Sequence, residues 1–180
     1  MYHNHLNVGF RPIDEKDIET LRKLRNDMST FLNLGTPEMS HSEDQYNWWK
    51  NHSFNSKNQR YTLEEKSTKK ILGILRILNI DNINSNCEIG VDILPEERNK
   101  GFATKAYKCV LEYLFKHKNM HTIYLKVADF NPKAEILYEK IGFVKTGYLS
   151  EYLFRNGKYW NYNIMCITFD EYIKKTILIK

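Results

Sequence analysis

The chain is poor in cysteine: Cys87, Cys109 and Cys166 are the three in 180 residues. The number is odd and no Cys-x-x-Cys occurs, which excludes a disulfide framework and a zinc ribbon. Such a chain is expected in a reducing cytoplasm. No apolar run approaches the roughly 18 residues of a membrane-spanning helix, so no membrane association is expected. The opening Met-Tyr-His-Asn-His lacks a basic segment followed by an apolar one, so no signal peptide is expected either. No repeat and no domain linker interrupts the sequence, and residues 1–180 read as a single domain. Neither sign of charge dominates: 27 Lys and Arg stand against 22 Asp and Glu, a net charge of +5. The longest basic cluster, Lys66-Ser-Thr-Lys69-Lys70, lies between two strand-like runs and reads as a solvated hairpin turn. A nucleic-acid partner is therefore not expected.

What the sequence does contain is a turn suited to an anion. The apolar run Ile89-Gly-Val-Asp-Ile-Leu94 leads into Arg98-Asn99-Lys100-Gly101-Phe102-Ala103, which opens a helix-patterned run to Phe115. The first amides of a helix lack internal partners and sit at the positive end of its dipole. Gly101 lets backbone approach a phosphate without a side chain in the way. Arg98 and Lys100 add positive charge. The pattern is not Gly-x-Gly-x-x-Gly, and no Gly-Lys-Ser/Thr occurs, which leaves both common nucleotide loops aside.

A second segment follows. Thr122-Ile-Tyr-Leu-Lys-Val127 alternates as a strand and leads through Ala128-Asp129-Phe130 to Asn131-Pro132. Asn131 suits an N-cap and Pro132 the first helical position. Asn131, Ala134 and Tyr138 fall on one helix face. Gly142 reads as the stop, followed by Phe143.

Together these segments resemble two motifs of the GNAT family, the Gcn5-related N-acetyltransferases. Arg98, Gly101 and Ala103 fill its Arg/Gln-x-x-Gly-x-Gly/Ala signature. Asn131, Ala134 and Tyr138 fill its Asn-x-x-Ala-x-x-x-Tyr segment, and the family's Gly-Phe follows. The remaining pattern runs β-α-α-β-β-β-α-β-α-β-β, with Arg155-Asn156-Gly157-Lys158 as a hairpin between the last two strands. The resemblance implies an α/β (α+β) GNAT fold. Its central mixed, mostly antiparallel sheet of about six or seven strands would be splayed at the cofactor site and flanked by helices. The Phe154–Lys158 hairpin and Asn163–Ile167 resemble the branch holding ribosomal-protein N-terminal, spermidine and nucleotide-amino-sugar acetyltransferases.

The resemblance also implies roles. Acetyl-CoA would be the co-substrate, with no metal. Amides of Arg98, Asn99, Lys100, Gly101, Phe102, Ala103 and Thr104 would cradle its pyrophosphate. Ile93 and Leu94 would pair with the pantetheine arm, beside a bulge near Val91-Asp92-Ile93. Asn131 would contact the cofactor, and Tyr138 would protonate the departing thiolate. Glu88 would serve as base, directly or through water, with Asp92 as second candidate. Strand alternation puts Glu88, Gly90 and Asp92 on one face. Glu88 could instead pair with a cross-strand cation such as Arg76. The acceptor would be a small amine, such as a nucleotide amino sugar or a polyamine, or else a protein N-terminus, attacked directly in a ternary complex. Arg25, Asn26, Trp48, Trp49, Tyr152 and Tyr159 are candidate lining residues, and Glu38, Glu43 and Asp44 would suit a polyamine. A homodimer is possible in this family. The competing class is a non-catalytic acyl-CoA sensor or partner subunit. Two other sites are rejected: His117 and His121 lack a third ligand for a metal, and Cys109 falls inside a helix.

Overall fold

The computed structural model describes residues 7–52 and 55–178. The residues inspected for a leader, 1–6, lie outside it. Seven strands form one sheet: β1 Val8–Pro12, β2 Gln59–Glu65, β3 Ile71–Asp81, β4 Asn86–Ile93, β5 Thr122–Ala128, β6 Val144–Arg155 and β7 Lys158–Thr168. Their order is β1-β2-β3-β4-β5-β7-β6. The ladders are antiparallel except between β4 and β5, which run parallel. This is the mixed, mostly antiparallel sheet that the sequence pattern anticipates.

Among the described residues six α-helices flank the sheet: α1 Ile18–Asn26, α2 Met28–Phe31, α3 Ser42–His52, α4 Phe102–His117, α5 Pro132–Ile141 and α6 Phe169–Leu178. The short α2 lies in the connection between α1 and α3 and adds a helix to the sequence pattern. Its N-cap is Asp27, whose side chain accepts from the Thr30 amide. α4 supplies the core of one face. Ala106, Tyr107, Val110, Leu111, Leu114 and Phe115 recur at helical spacing and are all buried. They pack with Leu75 and Ile77 of β3 and Ile89 and Ile93 of β4. The alternate residues on those strands, Ile74, Arg76 and Asp92, face the α1–α3 side.

β4 and β5 share three residue pairs, Asn86↔Thr122, Cys87↔Ile123 and Glu88↔Tyr124. Past Glu88 they diverge, and this is the expected splay. The bulge expected at Val91-Asp92-Ile93 is absent from the β3–β4 ladder, where Gly73↔Ile93 to Leu78↔Glu88 is unbroken. The irregularities lie on β3 instead. One falls between Leu78 and Asp81, where Asn79 takes φ 52°. Asn tolerates the left-handed region better than other non-glycine residues, which places the kink there. The other faces Leu63/Glu64, beside Gly73 at φ 154°. A Cβ on Gly73 would lie 1.9 Å from the Asp92 carbonyl oxygen.

At the far edge, the Asn156-Gly157 turn has φ 52° and 78°, the pair of positive values that a type I′ hairpin requires. Arg155, buried at the hairpin's base, donates to the carbonyls of Leu32 at 3.0 Å and of Leu34, tying the α2–α3 loop to the sheet.

A buried carboxylate fixes α1 onto the first strands. Asp17 has no exposed surface. It accepts from Arg11 at 2.6 and 2.9 Å, from Thr62 Oγ1 at 2.8 Å and from the Asp14 amide at 3.0 Å. Burial alone would push its carboxyl up, but the Arg11, Asp14 and Thr62 hydrogen bonds hold it below the usual range. The group therefore stabilises the fold above the usual carboxylate pKa and loses that contribution as pH falls through its lowered value. Asp17→Ala should cost about 2–3 kcal/mol in urea denaturation at neutral pH, because it strands the Thr62 hydroxyl and the Asp14 amide while Arg11 keeps Asp14 and Glu64. A cost under about 1 kcal/mol would show that the network does not hold α1 in place.

Candidate active site

The loop from β4 to α4 turns twice through the left-handed region, with Asn99 at φ 62° and Gly101 at φ 78°. Gly101 is the N-cap of α4 and offers no side-chain cap. The first-turn amides of a 16-residue helix are thus presented without a capping oxygen. A Cβ on Gly101 would meet nothing within 4 Å, so the space beside this N-cap is open.

The two cations of the loop do not point into that space. Arg98 donates from Nε to the Ile93 carbonyl at 3.0 Å, and from its other nitrogens to Ser29 Oγ and to Thr30 Oγ1, the latter at 2.6 Å. It therefore ties the loop to α2. Lys100 lies 3.1 Å from Glu97, which also pairs with Lys70. The Glu97 side chain is only 4% exposed, and a buried carboxylate needs cations beside it. Both cations are thus paired within the protein, and the backbone amides of the loop remain for an anion. Ile93 and Leu94 are buried, and the Leu94 amide donates to the Leu72 carbonyl at 2.9 Å.

Asn131 caps α5 as anticipated, its Oδ1 accepting from the Ala134 amide at 3.2 Å. Its Nδ2 donates to Asn33 Oδ1 at 2.9 Å across a depression of about 400 Å³ bounded by the α2–α3 loop, Phe130 and Trp160. Two turns further along α5, the Tyr138 hydroxyl accepts from Tyr107 OH at 3.3 Å, which leaves its own proton to be donated elsewhere. Burial pushes the Tyr138 phenol above its usual value.

Glu88 and Asp92 share a strand face, and each is paired. Glu88 sits at the last β4–β5 pair, 2.9 Å from Lys126, and accepts from Asn79 at 3.0 Å. Its cation partner is Lys126, and the anticipated Arg76 pairs with Asp92 at 2.8 Å instead. Arg76 reaches across Gly90: a Cβ there would lie 2.9 Å from the guanidinium.

Asp92 and Arg76 form one wall of a cavity of about 360 Å³ between the sheet, α1 and α3. Arg25, Glu38, Asp44, Trp48 and Arg60 are among its other lining residues. Among the candidate acceptor residues, Arg25 and Trp48 are thus brought to the cavity. Trp49 turns to the Ile13 carbonyl at 2.9 Å, which settles which tryptophan lines the cleft. Asn26 is occupied with both backbone groups of Ser40. Glu43 is exposed outside the cavity, as are Tyr152 and Tyr159 on the last hairpin. Arg60 and Tyr107 went unassigned at the sequence level, because their positions depend on strand register and helix packing. Burial pushes the Cys109 thiol up, so it carries no thiolate. Among the described residues no cluster of His, Cys, Asp and Glu suits a metal ion, and no helix is long and apolar enough to cross a membrane.

The sequence pattern of the Acetyltransferase (GNAT) domain matches residues 7–144. The chain belongs to the GNAT family. This GNAT chain is 34% identical over 163 residues to a spermidine N(1)-acetyltransferase of Vibrio cholerae, covering 91% of itself and 92% of that protein. It superposes with a TM-score of 0.86 and 30% identity on the crystal structure of spermidine N-acetyltransferase from Vibrio cholerae in complex with CoA and spermine. That match covers 93% of this chain and 98% of the other. A dodecameric structure of spermidine N-acetyltransferase from Vibrio cholerae matches with a TM-score of 0.81 at 29% identity, over 94% of this chain and 98% of that one. The GNAT chain is accordingly an acyltransferase of the N-acetyltransferase class, and acetyl transfer to an amine is its reaction.

The open space beside the α4 N-cap yields a direct check. Gly101→Glu places a carboxylate there at a backbone cost of about 1–2 kcal/mol. The folded variant should lose acetyl-CoA affinity by about 100-fold or more in calorimetry. Unchanged affinity would remove the loop from the cofactor site.

Proposed function

We propose that this enzyme acetylates a primary amine of a small molecule held in the 360 Å³ cavity, by direct attack on acetyl-CoA in a ternary complex. The observation that carries the reading is the fork at Glu88. There the parting strands leave backbone of Ile89–Ile93 without a β5 partner, in line with the uncapped α4 amides and beside the cavity. Amides of Arg98 to Thr104 hold the pyrophosphate, and the thioester arm runs along the end of β4 at Ile93 and Leu94. Asn131 contacts the arm, in exchange for its bond to Asn33. A cytoplasmic setting fits a chain with three free thiols and this co-substrate.

In the transfer, the neutral amine nitrogen attacks the thioester carbonyl carbon, so a C–N bond forms and the C–S bond breaks. The amine proton passes to Glu88 through water, and Lys126 balances that carboxylate in the resting enzyme. The leaving thiolate takes the Tyr138 proton, which Tyr107 positions by donating to the same oxygen. The relatives named for spermidine make a polyamine the first acceptor to assay.

Tyr138→Phe should lower kcat by about 100-fold with acetyl-CoA affinity nearly unchanged. A wild-type rate would reduce Tyr138 to packing. The pH profile has a definite shape as well. An amine loses its proton near pH 10.4 in general, so the rate climbs with pH. Tyr138 acts in its protonated form, and its raised pKa postpones the loss of the acid. The wild-type profile should therefore show no falling limb below about pH 10. A fall near pH 8 in a stopped-flow profile would identify a different acid.

We also infer self-association through the β6 edge. Val144, Tyr148, Tyr152 and Phe154 are exposed on that strand, and Tyr159 on its neighbour, where an isolated chain would offer an unpaired strand edge. Sedimentation should give a species heavier than 21.5 kDa. A monomer at micromolar concentration would remove the inference.

A further inference from the structure

The interior of the acceptor cavity carries an unusual arrangement of charge. Arg60 on β2 lies directly opposite Arg76 on β3, and Arg76 directly opposite Gly90 on β4. Like charges directly opposite in an antiparallel pair are destabilising in general. Here both guanidiniums line the same cavity, and Arg25 of α1 lines it as well. Arg60 is stacked over the Trp48 ring, 5.1 Å from its centroid, which fixes it in place. Burial first, then the positive charges of Arg76 and Arg25, push its pKa down. The cavity's carboxylates are distributed differently. Asp92 is committed to Arg76 at 2.8 Å, while Glu38 and Asp44 are exposed at the rim. With Asp92 balancing Arg76, the excess positive charge inside comes from Arg60, with Arg25 beside it, and the negative charge lies at the rim. A polycation entering this cavity would bring an ammonium up to the Arg60 and Arg76 guanidiniums that line it. Rules of sheet pairing tend to be broken where function requires it.

We propose that the acceptor carries an anionic group, a carboxylate or a phosphate, on the same small molecule as its amine, and that Arg60 and Arg76 receive that group on the cavity floor. This rests on the acetyl-transfer reading of the same site. Two guanidiniums on neighbouring strands present several N–H donors to one anion, which suits the planar carboxylate and the phosphate alike. Trp48 gives the acceptor body an apolar wall. Asp92 lies beside Arg76, where the amine of an anchored acceptor meets a carboxylate. Arg60 and Arg76 act in specificity, and a bound anion relieves their mutual repulsion.

The test is calorimetry on the full chain loaded with CoA, using probes matched in size. 4-Aminobutyrate is compared with 1,4-diaminobutane, glucosamine 6-phosphate with glucosamine, and spermidine is added as the polycation. At least one anionic probe should bind about tenfold more tightly than its partner and than spermidine. Which pair shows the preference tells carboxylate from phosphate. Arg60→Gln should reduce that preference to about twofold or less, and Arg60→Lys should restore part of it. Arg25→Gln gives the second variant should the first fail to fold, and it should weaken the same preference. Tighter binding of diaminobutane or spermidine, no binding of either anionic probe, or a preference that survives in the variants would each overturn the proposal. Thiol release from acetyl-CoA, measured alongside, separates the two readings. Turnover of spermidine without any anion preference defeats this proposal and leaves acetyl transfer standing. Anion preference without thiol release from any amine upholds the floor and defeats the acetyl-transfer reading.

Discussion

Two parallel strands that pair for three residues and then part create a need as well as a space. The backbone of β4 beyond Glu88 loses its partner on the β5 side, and buried backbone groups require one. The architecture around the fork is organised by that need. β3 holds the other side of β4 in unbroken register, Arg98 takes the Ile93 carbonyl, and α4 begins with open amides where β4 ends. The groups needed for an acyl carrier are therefore those that the parting exposes.

Keeping the fork open falls to charge as much as to packing. Glu97 and Arg155, both buried, and the partly exposed Arg98 each hold a loop by ionic or charge-assisted bonds. Asp17 does the same for α1. These are short-range devices: removing one partner strands a desolvated charge, whereas trimming an apolar residue removes only its own contacts. The loops that border the two depressions are thus pinned individually, while the core of α4 and the strands stays uniformly apolar.

Much of this was legible from the chain. Local signals marked the Asn131-Pro132 start of α5 and the Asn156-Gly157 turn, because both depend on a backbone preference a few residues long. The direction of Glu88 and Asp92 was legible as well, since strand alternation needs no partner. What depends on register was not. The neighbours Arg60 and Arg76 are sixteen positions apart, and only the pairing of β2 with β3 brings them together. The kink at Asn79, anticipated instead at residues 91–93, answers to the β3–β4 ladder as a whole. The side-chain charges of Arg98 and Lys100 were assigned to a ligand by their place in the motif. Their bonds to α2 and to Glu97 arise from elements distant in sequence. Trp48 and Trp49 were both candidates for the cavity, and which of them faces it depended on the docking of α3.

The glycines of this chain face different constraints. At Gly73 a single added methyl would collide with the Asp92 carbonyl, on the very strand whose far side must stay open. At Gly147 an added Cβ would meet nothing within 4 Å. In a library of random substitutions, position 73 should return glycine almost alone among active clones, while position 147 drifts through the small and polar residues. The tolerance of a site to replacement is set here by how close a neighbouring backbone comes, so the history of the sequence should be written most plainly on the strand beside the fork.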